Sequence, residues 1–386
     1  MTTRRILEGV RVLDITQIVA GPWCTRMLAD LGASVVKLDA PGPALVDGKP
    51  RRSAGPLAQN FGKRSLVLDL KRPEGLAVAR RLSEAADVLV QNYRPGGLKA
   101  LGLGYEALSP TNPGLIYTTI AGFGQNTSFA DRGAYGATAH AEAGLLWVQQ
   151  QAQGGQEPFP PGVTVADIVT GMNACTAIVA ALYDRQRSGR GQEIDISLMD
   201  SQLAFLGETA ADGPIRPGAA WTPRRHGLQR TLDGYLTINL GPPKNWPRLA
   251  AAIGRPGLPL PKEAGAADRL VADWAATVST GEAATALRAA GAAYGVVMSM
   301  PEALEHPYFA ERGMMVEVPD PLLEPVRTPS SPLFFSDAES SPAGAAPLAG
   351  EHTRAVLSEL GYAEAEIESL LVAGVAQAAV GASSDD

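Results

Sequence analysis

Short apolar runs alternate with helically spaced stretches along the first half of the chain. Residues 10–15, containing Val10, Val12, Leu13 and Ile15, read as a strand, and Ala20-Gly21-Pro22 as a turn. Residues 23–31 carry a helical apolar period that stops at Gly32, and residues 34–39 give a second strand. Strand, glycine turn, helix and strand in this order form a βαβ unit, which implies a parallel sheet with right-handed crossovers. Further strands follow at residues 64–70, 88–90, 115–120 and 192–198, with a helix at 73–85 that opens on Pro73. The glycines at 122 and 124 fit either a generic turn or a loop that approaches a ligand.

The longest apolar helix runs from Ile168 to about Arg185, with Ile168, Met172, Ile178, Val179 and Leu182 at helical spacing among small residues. Asp167 falls at its N-cap. There an aspartate accepts free backbone N–H groups of the first turn, and the helix dipole favours its charged form, so the carboxylate is expected to be ionised. Spacing alone leaves two readings open: a capping aspartate, or a reactive carboxylate at the mouth of a buried helix.

Residues 41–60 are rich in Pro, Gly and Arg without apolar period and read as a loop near a site. The composition shifts near Asp212. A strand at 234–240, a helical segment at 246–253 and an alanine-rich helical stretch to about Ala290 suggest a smaller domain. The expected division is 1–222 for the first part of a large domain, 223–317 for the small one and 318–386 for a returning segment. In that last part a proline-rich stretch crosses the surface, two helices follow at about 352–360 and 363–371, and the end is a solvated tail.

Composition narrows the function. With 386 residues, 45% hydrophobic and 19% charged, the chain can bury one large core and a smaller one. A net charge of −7 argues against a nucleic-acid binder. The only cysteines, Cys24 and Cys175, lie far apart in apolar surroundings, as expected of reduced thiols in a cytoplasmic protein. No metal-ligand spacing, signal-peptide pattern or bilayer-spanning apolar run is read, so neither a metal nor a membrane is expected. The first turn holds no G-x-G-x-x-G, which weakens a nicotinamide or flavin reading.

Several blocks, taken in order, carry a resemblance: LEGVRVLDITQIVAGPWCTRMLADLGASVVKLDAPG, GKRSLVLDLKRPEG, ADVLVQNYRPGGLKALGLGYEAL, NPGLIYTTIAGFGQ, DIVTG, RSGRGQEIDISLMD, HPYFAERGMMVEV and APLAGEHTRAVLSELGY. Together they resemble the family III CoA-transferases, also called the CaiB/BaiF family. The resemblance implies an α/β fold with a Rossmann-like large domain built from both chain ends and a smaller α/β domain. It also implies an interlocked homodimer, with a heteromer as the other possibility, and CoA thioesters and free carboxylic acids as substrates with no permanently bound cofactor.

By position, the resemblance makes Asp167 the nucleophilic aspartate. It places Ile18, Val19 and Ala20 beside the CoA, Leu68 and Lys71 near its adenine and phosphates, and Asn92, Tyr93 and Arg94 along the pyrophosphate and pantetheine. Tyr135 matches the tyrosine of a GYD-like motif lining the acyl pocket. Read singly, Lys71 and Arg94 are equally surface cations, and Tyr135 is equally core packing. Gly241, in the LGPPKNW turn, is the local candidate for the glycine-rich loop that stabilises an oxyanion in relatives. The chain departs from the pattern at Gly136, where an acidic residue often follows the tyrosine, and at Ala40, where some relatives carry a cation near the adenine.

The resemblance admits two alternatives. An α-methylacyl-CoA racemase would pair an aspartate with a histidine at the position of Tyr135. That histidine is absent, and His140 reads as packed or capping, while His226, His306 and His352 read as loop or helix-start residues. A non-catalytic subunit of a heteromeric transferase would lack the aspartate, which is present.

Overall fold

The computed structural model describes residues 4–42, 45–46, 49–50, 53–155, 157–215, 227–238, 243–263 and 265–379. Gly241, His226 and the terminal tail beyond residue 379 lie outside them. The chain divides into two compact units. One comprises residues 1–150, 157–219 and 313–386, and the other residues 151–156 and 220–312.

The larger unit is built on strands whose successive residues face two different cores. In β1 (Arg11–Ile15), Val12 joins one core while Leu13 and Ile15 join the other. Helix α1 (Ala20–Asp30) and strand β2 (Ser34–Asp39) complete the first βαβ unit. Then come α2 (Ala54–Asn60), β3 (Arg64–Leu68), α3 (Pro73–Ala85) and β4 (Val88–Gln91), in which Val88 and Val90 face the first core and Leu89 the second. Strand β5 (Ile116–Ala121), α4 (Gly136–Glu142), α5 (Val165–Ser188), β6 (Glu193–Ser197) and α6 (Leu198–Phe205) follow. Strands covered on both faces read as continuous apolar runs, as parallel strands do.

The smaller unit holds β7 (Leu228–Arg230), β8 (Tyr235–Ile238), α7 (Trp246–Ala252), α8 (Ala266–Ala275), α9 (Thr280–Ala289) and β9 (Tyr294–Val296). Its three strands form an antiparallel sheet with β8 central. Leu236, Ile238, Trp246, Leu249 and Leu287 fill its core. The alanine-rich stretch is two helices, since Ser279 caps the second by accepting the Glu282 N–H at 3.3 Å.

The chain then returns to the larger unit as β10 (Met315–Val318), β11 (Val326–Pro329), α10 (Thr353–Glu359), α11 (Glu364–Val372) and β12 (Ala376–Gln377). Strand order in the main sheet is β12-β3-β2-β1-β4-β5-β6, parallel throughout except for β12, which pairs antiparallel with β3. Without the edge strand the order is 3-2-1-4-5-6, the arrangement of doubly wound sheets. Such sheets bind ligands where the order reverses, here beyond the carboxyl ends of β1 and β4.

Four expectations need correction. Helix α1 starts at Ala20 rather than Trp23, because Pro22 is tolerated in a first turn, where its missing N–H has no partner to lose. Residues 54–60 form a helix within the expected loop, anchored by the buried Leu57 and followed by the buried Phe61. The proline-rich stretch contributes β11, which pairs antiparallel with β10 and ends on Pro329, as an edge strand allows. Helix α5 starts at Val165, so Asp167 lies inside its first turn and Thr164 is the N-cap.

By length and composition, α5 is the one described helix apolar enough to cross a membrane; half of its most apolar window is buried inside the fold. Its Ala174, Cys175, Ile178 and Leu182 pack in the same core as Cys24 and Leu28 of α1. The crossing is close at Gly171, where a Cβ would stand 2.6 Å from the Ala20 carbonyl oxygen. Any larger residue there would push apart the two helices that flank the switch point.

Candidate functional site

The loops at that switch point enclose a cavity of about 380 Å³. The chain beyond β1 supplies Gln17, Ile18, Val19 and Ala20, and the chain beyond β4 supplies Asn92, Tyr93, Arg94 and Pro95. Ile120 to Gly122 come from the end of β5, Tyr135 precedes α4, Asp167 stands in the first turn of α5 and Leu198 opens α6. Eight of the residues singled out from sequence thus line one cavity: Ile18, Val19, Ala20, Asn92, Tyr93, Arg94, Tyr135 and Asp167. Leu68 and Lys71 are not among them. Leu68 is fully buried in the second core beside β12, and Lys71 is exposed in the turn after β3. Ala40 is likewise exposed.

Among the described residues Asp167 is the only carboxylate in the lining, and it is 7% exposed. Burial pushes its carboxyl above the ordinary aspartate range, and a hydrogen bond from its own backbone N–H opposes that. The result is a more basic, partly dehydrated carboxylate held at a helix N-terminus. The capping task expected of it falls to His140, whose Nε2 accepts the Ala166 N–H at 3.0 Å. His140 is buried, which lowers its pKa, and this acceptor role requires the neutral ring. His306 and His352 are also acceptors, His306 locally from the Tyr308 N–H at 3.2 Å and His352 across the fold from the Ser65 N–H at 3.3 Å.

A buried ion pair underpins the first loop. Asp14, near the end of β1, accepts from the Thr16 N–H and Oγ1 at 2.9 and 2.5 Å, from Thr25 Oγ1 at 2.6 Å and from Lys63 Nζ at 3.0 Å. Burial alone would raise its pKa, but Lys63, Lys37 and the two hydroxyls bring it down to about 2. Lys63 also donates to the Pro22 carbonyl at 3.0 Å, tying α3's preceding strand to the first turn of α1. Nothing in local sequence pairs these residues, since topology alone brings positions 14 and 63 together.

Asn92 joins the two loops at the switch point. Its Oδ1 accepts the Gln17 N–H at 2.8 Å and its Nδ2 donates to the Gln17 carbonyl at 2.7 Å. The next residue, Ile18, has φ +70°, the only positive φ outside glycine among the described residues. A left-handed conformation at a β-branched residue costs roughly 1–2 kcal/mol or more. Ile18 is 64% exposed, so its own burial recovers little of that cost.

Among the described residues two cations line the cavity, Arg94 and Arg132. Sequence reading missed Arg132, which sits in a loop without periodic signal. It forms a two-pronged ion pair with Glu142 and lies over the Phe123 ring, 4.9 Å from its centroid. The described lining therefore offers one buried carboxylate, cationic groups at the rim and no histidine. That set suits acyl transfer through a carboxylate from a ligand bearing anionic groups.

The chain matches CoA-transferase family III over residues 7–353. It is 33% identical to the succinyl-CoA:glutarate CoA-transferase of Mus musculus, over 96% of this chain and 90% of that protein. It is 33% identical to the succinyl-CoA:mesaconate CoA-transferase of Haloarcula hispanica, over 92% and 96%. A crystal structure of a CaiB/BaiF family protein from Brucella suis superposes with a TM-score of 0.80 at 29% identity, covering 92% of this chain and 99% of that one. The hypothetical protein Rv3272 from Mycobacterium tuberculosis gives a TM-score of 0.80 at 28% identity, covering 92% and 100%. A chain matched nearly end to end in sequence and in fold belongs to CoA-transferase family III, and it is an enzyme that moves CoA from an acyl-CoA thioester to a carboxylate.

Proposed function

We propose that the enzyme takes CoA from a short dicarboxylyl-CoA such as succinyl-CoA and passes it to a free carboxylic acid, with Asp167 as the covalent carrier. The observation that carries this reading is the single buried carboxylate, Asp167, in the wall of the switch-point cavity. The related enzymes named above act on succinyl-CoA with glutarate or mesaconate, which supports a dicarboxylyl donor.

In the first step an Asp167 oxygen attacks the thioester carbonyl carbon, the C–S bond breaks and CoA leaves as a thiolate. The thiolate then attacks the Asp167 carbonyl of the mixed anhydride, releasing the donor acid and leaving an aspartyl-CoA thioester. An incoming carboxylate repeats the attack on Asp167, expelling the thiolate, which takes the new acyl group and frees Asp167. Each bond broken is matched by one formed, and no proton or external energy source is needed. A raised carboxyl pKa makes Asp167 a better nucleophile, while the N–H groups of the helix start steady charge building on oxygen. Arg94 and Arg132 are placed to receive phosphate or carboxylate groups of the substrates.

The racemase alternative is disfavoured by His140, whose Nε2 lone pair is occupied by the Ala166 N–H and which does not line the cavity. An interlocked homodimer in the cytoplasm completes the reading. It is supported by large apolar residues left outward on α5, Met172 at 48% and Tyr183 at 69% exposure, and by two buried free cysteines.

The test is peptide mass spectrometry after mixing enzyme, succinyl-CoA and hydroxylamine. A hydroxamate on the peptide carrying Asp167, absent in Asp167→Ala, is the expected result. CoA exchange without modification of that peptide would overturn the assignment.

A further inference from the structure

The clamp between Asn92 and Gln17 acts on the shape of the cavity wall. Ile15 and Gln91 are paired at the carboxyl ends of β1 and β4, so the two chains leave the sheet side by side. One residue further on, the Asn92 amide extends that ladder by engaging both the N–H and the carbonyl of Gln17. Both of its polar atoms are thereby engaged with backbone, one hydrogen bond to each. Immediately beyond the clamped residue the chain turns through the left-handed Ile18, and α1 begins at Ala20 after an N-cap, Val19, that has no side-chain cap. Ile18, Val19 and Ala20 all face the cavity. An exposed β-branched residue keeps such a conformation only when neighbouring structure imposes it, and the Asn92 clamp is the neighbour that acts on the preceding residue.

We propose that Asn92 is a positioning residue of the CoA-transfer site, which holds Ile18 in its left-handed turn and so aims the start of α1 at the bound thioester, instead of serving as a ligand of CoA. The inference rests on the reading of this cavity as the acyl-CoA site. It separates two roles that sequence alone merges. A residue that touches CoA loses its contribution whatever occupies position 18, whereas a residue that holds a strained turn becomes dispensable once the strain is removed. Glycine removes it, because glycine takes positive φ as readily as negative φ.

The experiment is a double-mutant cycle on the full enzyme with Asn92→Ala, Ile18→Gly and the pair, reading KM for succinyl-CoA, kcat, and binding of free CoA by titration calorimetry. Asn92→Ala is expected to raise KM and the CoA dissociation constant about tenfold, with kcat changed less than about threefold. Ile18→Gly removes a side chain of the cavity wall and carries its own cost in KM, so it serves as the reference: in the Ile18→Gly background the added Asn92→Ala is expected to change KM less than about threefold. Additive effects of the two substitutions would overturn the proposal and make Asn92 a direct ligand. If Asn92→Ala folds poorly, Asn92→Asp serves, since it keeps the acceptor for the Gln17 N–H but presents an oxygen to the Gln17 carbonyl. Its KM defect should shrink as pH falls and the carboxyl regains a donor proton, and a defect independent of pH would count against positioning. Asp167→Ala is run beside them: full CoA exchange in that variant would sink the reading of the cavity itself, whatever the cycle gives.

Discussion

The carboxylate of Asp167 rests on the backbone of Gly136. A Cβ built at position 136 would overlap Oδ2 and stand 3.2 Å from Cγ. The two residues come from the first turns of different helices, α4 and α5, which the fold brings together above the sheet. Gly136 has no positive φ, so space rather than backbone conformation makes glycine matter here.

Gly136→Ala should therefore swing the Asp167 side chain out of its present position. Displacing a reacting group by about an ångström costs on the order of a hundredfold in rate. The expected outcome is a fall in kcat of about that size with KM for succinyl-CoA changed only a few-fold and an unfolding midpoint close to wild type. Steady-state kinetics beside thermal unfolding check it. Gly136→Asp is the more informative companion. It adds a like charge against Asp167 and should depress kcat further.

Asp167 itself sets a pH dependence. In the proposed route only the ionised carboxylate attacks, and burial raises its pKa above the ordinary aspartate range. The acid limb of kcat/KM should consequently bend above that range and flatten toward neutral pH. Asp167→Ala should lower the rate by about 10⁴-fold or more, as loss of a covalent nucleophile does. An acid limb lying below the ordinary aspartate range would show that the enzyme's critical carboxylate is elsewhere.

How much of this was legible follows from what each residue answers to. The strands of the main sheet were readable because both faces are covered, which leaves continuous apolar runs such as Val88 to Val90. Tertiary contacts decided the rest. Asp167 was expected at the cap and sits inside the first turn, where the Ala166 N–H is taken by His140, 26 residues before Ala166 in the chain. Helix α2, with a glycine and a proline in seven residues, is held by the burial of Leu57 and not by propensity. The two-residue β12 has no periodicity to read, and only its pairing with β3 defines it. The Asn92 clamp and the Asp14–Lys63 pair are invisible in sequence for the same reason: each joins segments that meet only through strand order.

Lys63→Met should leave Asp14 buried without its ion partner. Breaking such a pair costs about 3–5 kcal/mol, to be read as a shift in urea unfolding at constant m-value. The pH dependence has a definite sign. The folded carboxyl titrates at about 2, below its unfolded value of about 4. Its stabilising contribution is complete above the unfolded value and is lost as pH falls through the folded one. Removing Lys63 takes away the largest opposition to burial and leaves Lys37 and the two hydroxyls, so the carboxyl moves upward and acid unfolding of the variant should begin at higher pH than in wild type.

His140 offers a prediction that separates structure from chemistry. Its buried ring accepts the Ala166 N–H and carries no charge, and burial keeps its pKa below that of an exposed histidine. The folded state therefore binds a proton less readily than the unfolded state. The ring's contribution is fully present above the unfolded pKa, near 6.5, and is lost as pH falls through the lower folded value. His140→Gln keeps an acceptor within reach of Ala166 and cannot titrate, so stability should fall by about 1 kcal/mol at pH 7, and its decline between pH 6.5 and 5 should become shallower. CoA transfer should persist within about tenfold of wild type, because the ring caps the start of the helix that carries Asp167 and stands outside the cavity lining. A loss of a thousandfold or more in a stably folded His140→Gln would instead make His140 an acid–base group, and the aspartate–histidine pairing of the racemases would have to replace the covalent route.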